Sequence, residues 1–184
     1  MKLRQAKMND LEQIIEILAD GRDQLAEKGV DQWQGEYPSR DHVKYDIEHG
    51  FAFLAESDDH QTVGALSLVP APDHTYDDMR GNWLTNTDSY IVIHRVAIHS
   101  AHGGHGYATQ LFEKVIEEIS NNHPSIDSIR IDTHKNNQAM QHVIAKTGFN
   151  HVGKLVGVYG PTDECFVYEK VIEHQAKSNI QIAG

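Results

Sequence analysis

The chain has 184 residues, of which 39% are hydrophobic and 23% charged; that is enough apolar material for one ordinary domain and too much for wholesale disorder. Sixteen Lys and Arg against 27 Asp and Glu give a net charge of −11, which argues against the basic face of a general nucleic-acid or anionic-membrane binder. No apolar stretch approaches the ~20 residues of a membrane helix, no signal-like run follows Met1-Lys2-Leu3-Arg4-Gln5, and the single Cys165 cannot form an internal disulfide; a reducing, cytoplasmic compartment is expected.

Residues 2–6 read as an opening strand. Asn9 as N-cap with Glu12 three residues later suggests a capping box, and Leu11, Ile14, Ile15 and Leu18 then form one helical stripe. Gly21 reads as a bend or break before a second helical stretch over 23–28. Residues 29–50 read as a loop with a short helix near 41–48. Residues 51–55 and 63–69 read as a hairpin of strands around Ser57-Asp58-Asp59-His60, and 70–87 as polar and irregular. Residues 89–98, rich in β-branched side chains, make the fourth strand. A second helical stripe follows at Leu111, Phe112, Val115, Ile116 and Ile119. Ile129 and Ile131, alternating with Arg130 and Asp132, mark the fifth strand. Asn136 or Asn137 caps a helix carrying Met140, Val143 and Ile144 that ends near Gly148. Strands over 151–159 and 164–171 flank the turn Gly160-Pro161-Thr162-Asp163. The organisation is one domain over 1–172 and a polar, frayed tail over 173–184. Helices and strands alternate only in the second half, which implies an α/β or α+β fold with a mixed sheet and helices on both faces.

The chemistry concentrates where the fourth strand meets a glycine-rich turn, His102-Gly103-Gly104-His105-Gly106, and then a helix. Glycines let the backbone approach a ligand, and the first N–H groups of a helix lack helical partners, so this junction suits a phosphate. A dinucleotide G-x-G-x-x-G fingerprint fails because Thr109 stands at its third glycine, and no P-loop lysine is present. His99, His102 and His105 recur every third residue, but on a glycine turn, without an HExxH or a cysteine pair; no metal is expected. Cys165, in the apolar run Cys165-Phe166-Val167-Tyr168, reads as a small core residue rather than a nucleophile.

The turn Gly103-Gly104-His105-Gly106-Tyr107-Ala108 resembles the acyl-CoA motif of the GNAT superfamily of N-acetyltransferases. Gly106 and Ala108 match its two small positions, whereas Gly103 stands where the family has Gln or Arg. The stretch from Asn137 to Gly148-Phe149 is similar to the family's Asn-initiated helix ending in Gly-Phe, in the right order and spacing. Asp31-Gln32-Trp33-Gln34 with Tyr37-Pro38 resembles uncharacterised bacterial members.

The resemblance implies a mostly antiparallel central sheet, helices on both faces and a splay between strands 4 and 5. Acetyl-CoA would lie in the splay. Backbone groups of Val96 and Ile98 would meet its pantetheine arm. The turn, from Gly103 and Gly104 through His105, Gly106 and Tyr107 to Ala108, would hold the pyrophosphate with the Thr109 hydroxyl, and Asn137 would contact the cofactor. His102 or His105 is a candidate phosphate donor in place of the side chain that Gly103 lacks. The acceptor would enter over the first two helices, where Trp33 and Tyr37 either line its pocket or anchor the loop. The acidic composition suits a small cationic amine or a peptide amine. A free alkylamine must lose a proton before attack, and a histidine such as His94 suits that task. Arg95, its neighbour, should point to the other face. The family's usual acid, a tyrosine, is Ile144 here, which leaves Tyr159, Tyr168 and Tyr107 to compensate. The implied activity is acetyl-CoA-dependent N-acetylation, and the alternative is a non-catalytic acyl-CoA-binding module. The resemblance also allows a homodimer.

Overall fold

The computed structural model describes residues 1–174; residues 175–184, most of the expected tail, lie outside the described residues. Eight strands form one sheet: β1 (Lys2–Gln5), β2 (Ala52–Glu56), β3 (Thr62–Pro70), β4 (Arg80–Gly81), β5 (Tyr90–Ile98), β6 (Ser128–His134), β7 (Asn150–Val156) and β8 (Glu164–Val171). Their order is β1-β2-β3-β5-β6-β8-β7-β4. Among the described residues only β5 and β6 run parallel; the other neighbours are antiparallel. The fourth and fifth strands read from the sequence are therefore β5 and β6. The count rises by one because two residues of the irregular-looking segment 71–87 pair with β7.

Helices α1 (Leu11–Glu27) and α2 (Arg40–Glu48) cover one face, and α3 (Tyr107–Asn122) and α4 (Gln138–Lys146) the other. On the first face Leu11, Ile14, Ile17 and Leu18 meet Val43, Ile47, Leu54 and Ala97. On the second, Leu111, Phe112, Val115 and Ile144 meet Val63, Ile93, Ile129 and Ile131. At ~1.5–3 kcal/mol for each large apolar side chain buried, these stripes hold the helices more firmly than propensity does. A third cluster of Tyr76, Tyr90, Val92, Leu155, Cys165 and Val167 lies under segment 71–87.

Three local expectations change. The Asn9 and Glu12 capping box does not form: a 3₁₀ turn over Met8–Asp10 precedes α1, Asp10 accepts from Arg4 and the Lys7 amide, and Glu12 pairs with Arg40. Gly21 does not break α1, which runs unbroken. A Cβ there would lie 2.9 Å from Ala97 Cβ, so this glycine brings α1 close to β5. The last hairpin has a longer turn, since β7 ends at Val156 and Tyr159 belongs to the turn.

The sheet parts where it matters. β5 and β6 pair only at Tyr90 with Ser128, Ile91 with Ile129 and Val92 with Arg130. The cause lies on the other edge of β5. Ser67 pairs with His94 and Ala65 with Ala97, so β5 carries one extra residue opposite β3. Arg95 takes it up with φ +50. Such a bulge bends and twists its strand, and β5 leaves β6. The bulge also breaks the alternation of side chains. Ile93 and Val96 pack towards α3 and α4, while His94 and Arg95 both turn to the α1 and α2 side, where Arg95 bonds Asp46 and Ser67. The expectation that Arg95 faces away from His94 is thereby corrected.

Candidate active site

The opening between β5 and β6 is a cavity of about 190 Å³ with Val96, Ile98, Ala108, Asn137 and Met140 in its walls. A second cavity of about 480 Å³, lined among others by His42, Val69, Pro72 and Asp73, lies beyond it. The two share Tyr37, His94, Arg95, Asp132 and Tyr159. These five side chains stand where one compartment meets the other.

His94 Nε2 lies 2.5 Å from Asp73 Oδ2, and both side chains are largely buried. Burial alone would raise the Asp73 carboxyl, but the bond and charge of His94, with Thr75, hold it well below the usual carboxylate range. Across the opening, burial pushes the Asp132 carboxyl up, although the His94 charge and a 3.0 Å hydrogen bond from the Tyr76 hydroxyl oppose it. Two carboxyl groups flank one imidazole with opposite shifts, which is a pattern of reactive sites. One short segment builds both contacts. Asp73 caps the 3₁₀ turn over His74–Tyr76, and Tyr76 closes that turn.

Arg95 is held by Asp46 through Nε (2.5 Å) and Nη2 (2.8 Å), and donates from Nη1 to the Tyr37 hydroxyl at 2.8 Å. Tyr37 therefore sits in the wall of both cavities with a fixed hydroxyl. Trp33 is 4% exposed and lines the inner cavity, with φ +66. Burial pushes the Tyr159 hydroxyl up, with the charges of Asp132, Cys165 and Tyr37 adding and Trp33 opposing, so it stays a neutral phenol.

The structure brings some of the expected cofactor residues to the opening. Val96 and Ile98 lie on the part of β5 that β6 no longer pairs, and Gln24 Nε2 of α1 reaches the Ile98 carbonyl at 3.0 Å. In the turn, Gly104 (φ +81) and Gly106 (φ +72) adopt the left-handed conformation that only glycine takes without strain. Among the described residues the amides of 104–109 donate no hydrogen bond; they belong to Gly104, His105, Gly106, Tyr107, Ala108 and Thr109. The Gly103 amide is committed to the Ser100 carbonyl at 2.9 Å. The His105 ring lies against Tyr107 at 5.6 Å, and His102 is next to it. His99 Nδ1 accepts from the Ala101 amide instead. Among the described residues no group of three or more His, Cys, Asp or Glu side chains is arranged to hold a metal ion.

Other expected residues either lie away from the opening or are already engaged within the chain. Tyr168 pairs with Ile131, so its side chain shares the α3 and α4 face and is buried there. Tyr107 begins α3 and lines neither cavity. Ile144 is fully buried in the core. Asn137 lines the opening, but its Oδ1 caps α4 at the Met140 amide and its Nδ2 donates to Gln32 Oε1 at 3.0 Å. Cys165 is buried, and burial raises its thiol, as suits a small core residue.

Asp73, Asp132, Asp46 and Gln32 were not expected in the site. Asp132 left a trace, a carboxylate in an alternating strand. Asp73 and Asp46 left none, since their partners lie 21 and 49 residues away.

The chain belongs to the acetyltransferase (GNAT) family, whose model matches residues 13–149. A solved GNAT-family acetyltransferase from Streptococcus agalactiae 2603 is 30% identical, with a TM-score of 0.81 over 94% of this chain and 95% of that one. The uncharacterized N-acetyltransferase YesJ of Bacillus subtilis (strain 168) is 23% identical over 150 residues, 80% of this chain and 81% of its own. The fold is also shared with a spermidine N-acetyltransferase from Vibrio cholerae solved with CoA and spermine, at 18% identity, a TM-score of 0.65, and 92% and 94% coverage. Family, fold and enzyme class are thus those that the two sequence motifs implied. Among the described residues no helix is long and apolar enough to cross a membrane.

Proposed function

We propose that this protein transfers an acetyl group from acetyl-CoA to the primary amine of a small cationic molecule or a peptide, in the cytoplasm. The observation that carries this reading is the junction of the two cavities at His94, Asp132, Arg95, Tyr37 and Tyr159. The residues present fit an acyl-CoA arm. The unpaired edge of β5 offers backbone groups to pantetheine, and the uncommitted amides of 104–109 offer donors to a pyrophosphate.

Bound acetyl-CoA supplies an electrophilic acyl carbon and a thiolate leaving group. Asp132 and Asp73 make the meeting point of the cavities attractive to an ammonium. His94, oriented by Asp73, accepts the proton that the amine loses as its nitrogen bonds to the acyl carbon. That proton returns to the departing sulfur or to water. Unpaired N–H groups of β5 beyond Val92 are donors for a carbonyl oxygen. Tyr159, kept neutral by burial, is a weaker acid than a free thiol, so it serves as a hydrogen-bond donor rather than giving up its proton.

Thiol release from acetyl-CoA, measured across a panel of polyamines, aminosugars and peptides, tests the reading. Release that requires an added amine is expected. A protein that binds acetyl-CoA yet releases thiol with no amine of the panel would instead be a non-catalytic acyl-CoA module, the reading that Gly103 and Ile144 favour.

A further inference from the structure

Gln32 lies in the loop between α1 and α2, is 7% exposed and lines the cavity between β5 and β6. Its Oε1 accepts three hydrogen bonds, from Asn137 Nδ2 (3.0 Å), Thr133 Oγ1 (3.2 Å) and the His134 backbone amide (3.3 Å). A backbone N–H can only donate, so the oxygen end of the carboxamide is assigned by its partners. The NH₂ end points away from the start of α4. Among the described residues Nε2 has no acceptor. Nor is it sealed in, since the one fully buried side-chain polar atom without a partner there is His134 Nε2. The cavity that Gln32 lines is the space within reach of this donor.

We propose that Gln32 Nε2 donates a hydrogen bond to a carbonyl oxygen of the acyl-pantetheine arm, and that Asn137 acts by holding Gln32 in place. This rests on the acyl-CoA reading of the opening. The site asks for an acceptor without a proton of its own, beside Thr133 and so next to Asp132. Phosphate oxygens belong at the glycine turn, and the carbonyls of the arm remain. Asn137, the residue that the family resemblance assigns to the cofactor, has both ends of its amide engaged within the chain.

Gln32→Glu keeps the anchoring oxygen and replaces the donor by an acceptor. Calorimetric titration of wild type and Q32E with CoA and with acetyl-CoA is the test. Weakening by about tenfold or more for both ligands, expected when a donor becomes a repelling carboxylate, assigns the donor to a pantetheine amide carbonyl. Weakening for acetyl-CoA alone assigns it to the thioester carbonyl. Unchanged affinity for both overturns the proposal and leaves the acyl-CoA reading standing. Failure of the wild type to bind either ligand overturns both. If Q32E does not fold, the Gln32 side-chain NH₂ resonance of ¹⁵N-labelled wild type decides: a shift on adding CoA or acetyl-CoA supports the contact, and an unmoved resonance at saturation with both contradicts it.

Discussion

His94 stands between two carboxyl groups, Asp73 and Asp132. Asp73 fixes the imidazole at 2.5 Å, and Asp132 faces it from the next strand. If His94 takes the amine's proton, His94→Gln lowers kcat by roughly 10²- to 10⁴-fold with acetyl-CoA affinity unchanged. Steady-state kinetics beside a binding titration checks this. The two carboxyl groups make opposite predictions for stability. Asp73 has a lowered value in the folded state, so it stabilises above the ordinary carboxylate pKa of about 3.9, and the contribution is lost as pH falls through the folded value. Asp73→Asn should lower the melting temperature at pH 7, by the ~1.5–3 kcal/mol of a charged hydrogen bond, with the gap closing in strong acid. Asp132 has a raised value. Its ionisation costs stability once pH passes the ordinary value, so Asp132→Asn should melt higher than wild type at pH 7 and level with it near pH ~4. The same change should reduce turnover of cationic amines. Thermal melts across pH, paired with rates, separate these outcomes. None of this charge arrangement was legible in the sequence beyond His94 itself and the lone carboxylate at Asp132. Asp73 sits in a stretch with no periodic pattern and meets its partner only through the fold.

At the scale of elements, the opening depends on one extra residue in β5. Residues 89–98 form the strand that their β-branched content indicates, but a bulge at an arginine has no composition signal, so strand alternation gives the wrong side for Arg95. Gly21 shows the same limit. Inside a helix, Gly→Ala usually gains about 1 kcal/mol from propensity. Here the added methyl would stand 2.9 Å from Ala97 Cβ, and overpacking typically costs about 1–3 kcal/mol. Gly21→Ala should therefore lower the unfolding free energy in urea rather than raise it; a rise would mean that α1 does not press on β5. Segment 71–87 looked irregular because its anchors are not local. Buried Glu169 accepts from Thr85 Oγ1 (2.7 Å) and Ser128 Oγ (2.8 Å), and Arg130 lies between the rings of Trp83 and Tyr90 at 3.8 and 3.7 Å. These contacts set the segment that delivers Asp73 and Tyr76.

Over the whole molecule, two motifs 31 residues apart, Gly106 and Asn137, were enough to imply the sheet, its helices and its splay. The outer cavity was not legible, because its walls come from five separate segments. The charge of −11 acts with opposite sign on the two substrates proposed, a cationic amine and acetyl-CoA. Rising salt should raise KM for a cationic amine and lower it for anionic acetyl-CoA, since screening weakens attraction and repulsion alike; a common direction for both would contradict this. The proposed function puts acetyl-CoA in the parting between β5 and β6. Amide hydrogen exchange with and without saturating acetyl-CoA tests it most directly. Slowed exchange concentrated at Val96, Ile98 and residues 104–109 is predicted. Unchanged exchange there, with protection elsewhere or nowhere, would contradict the account.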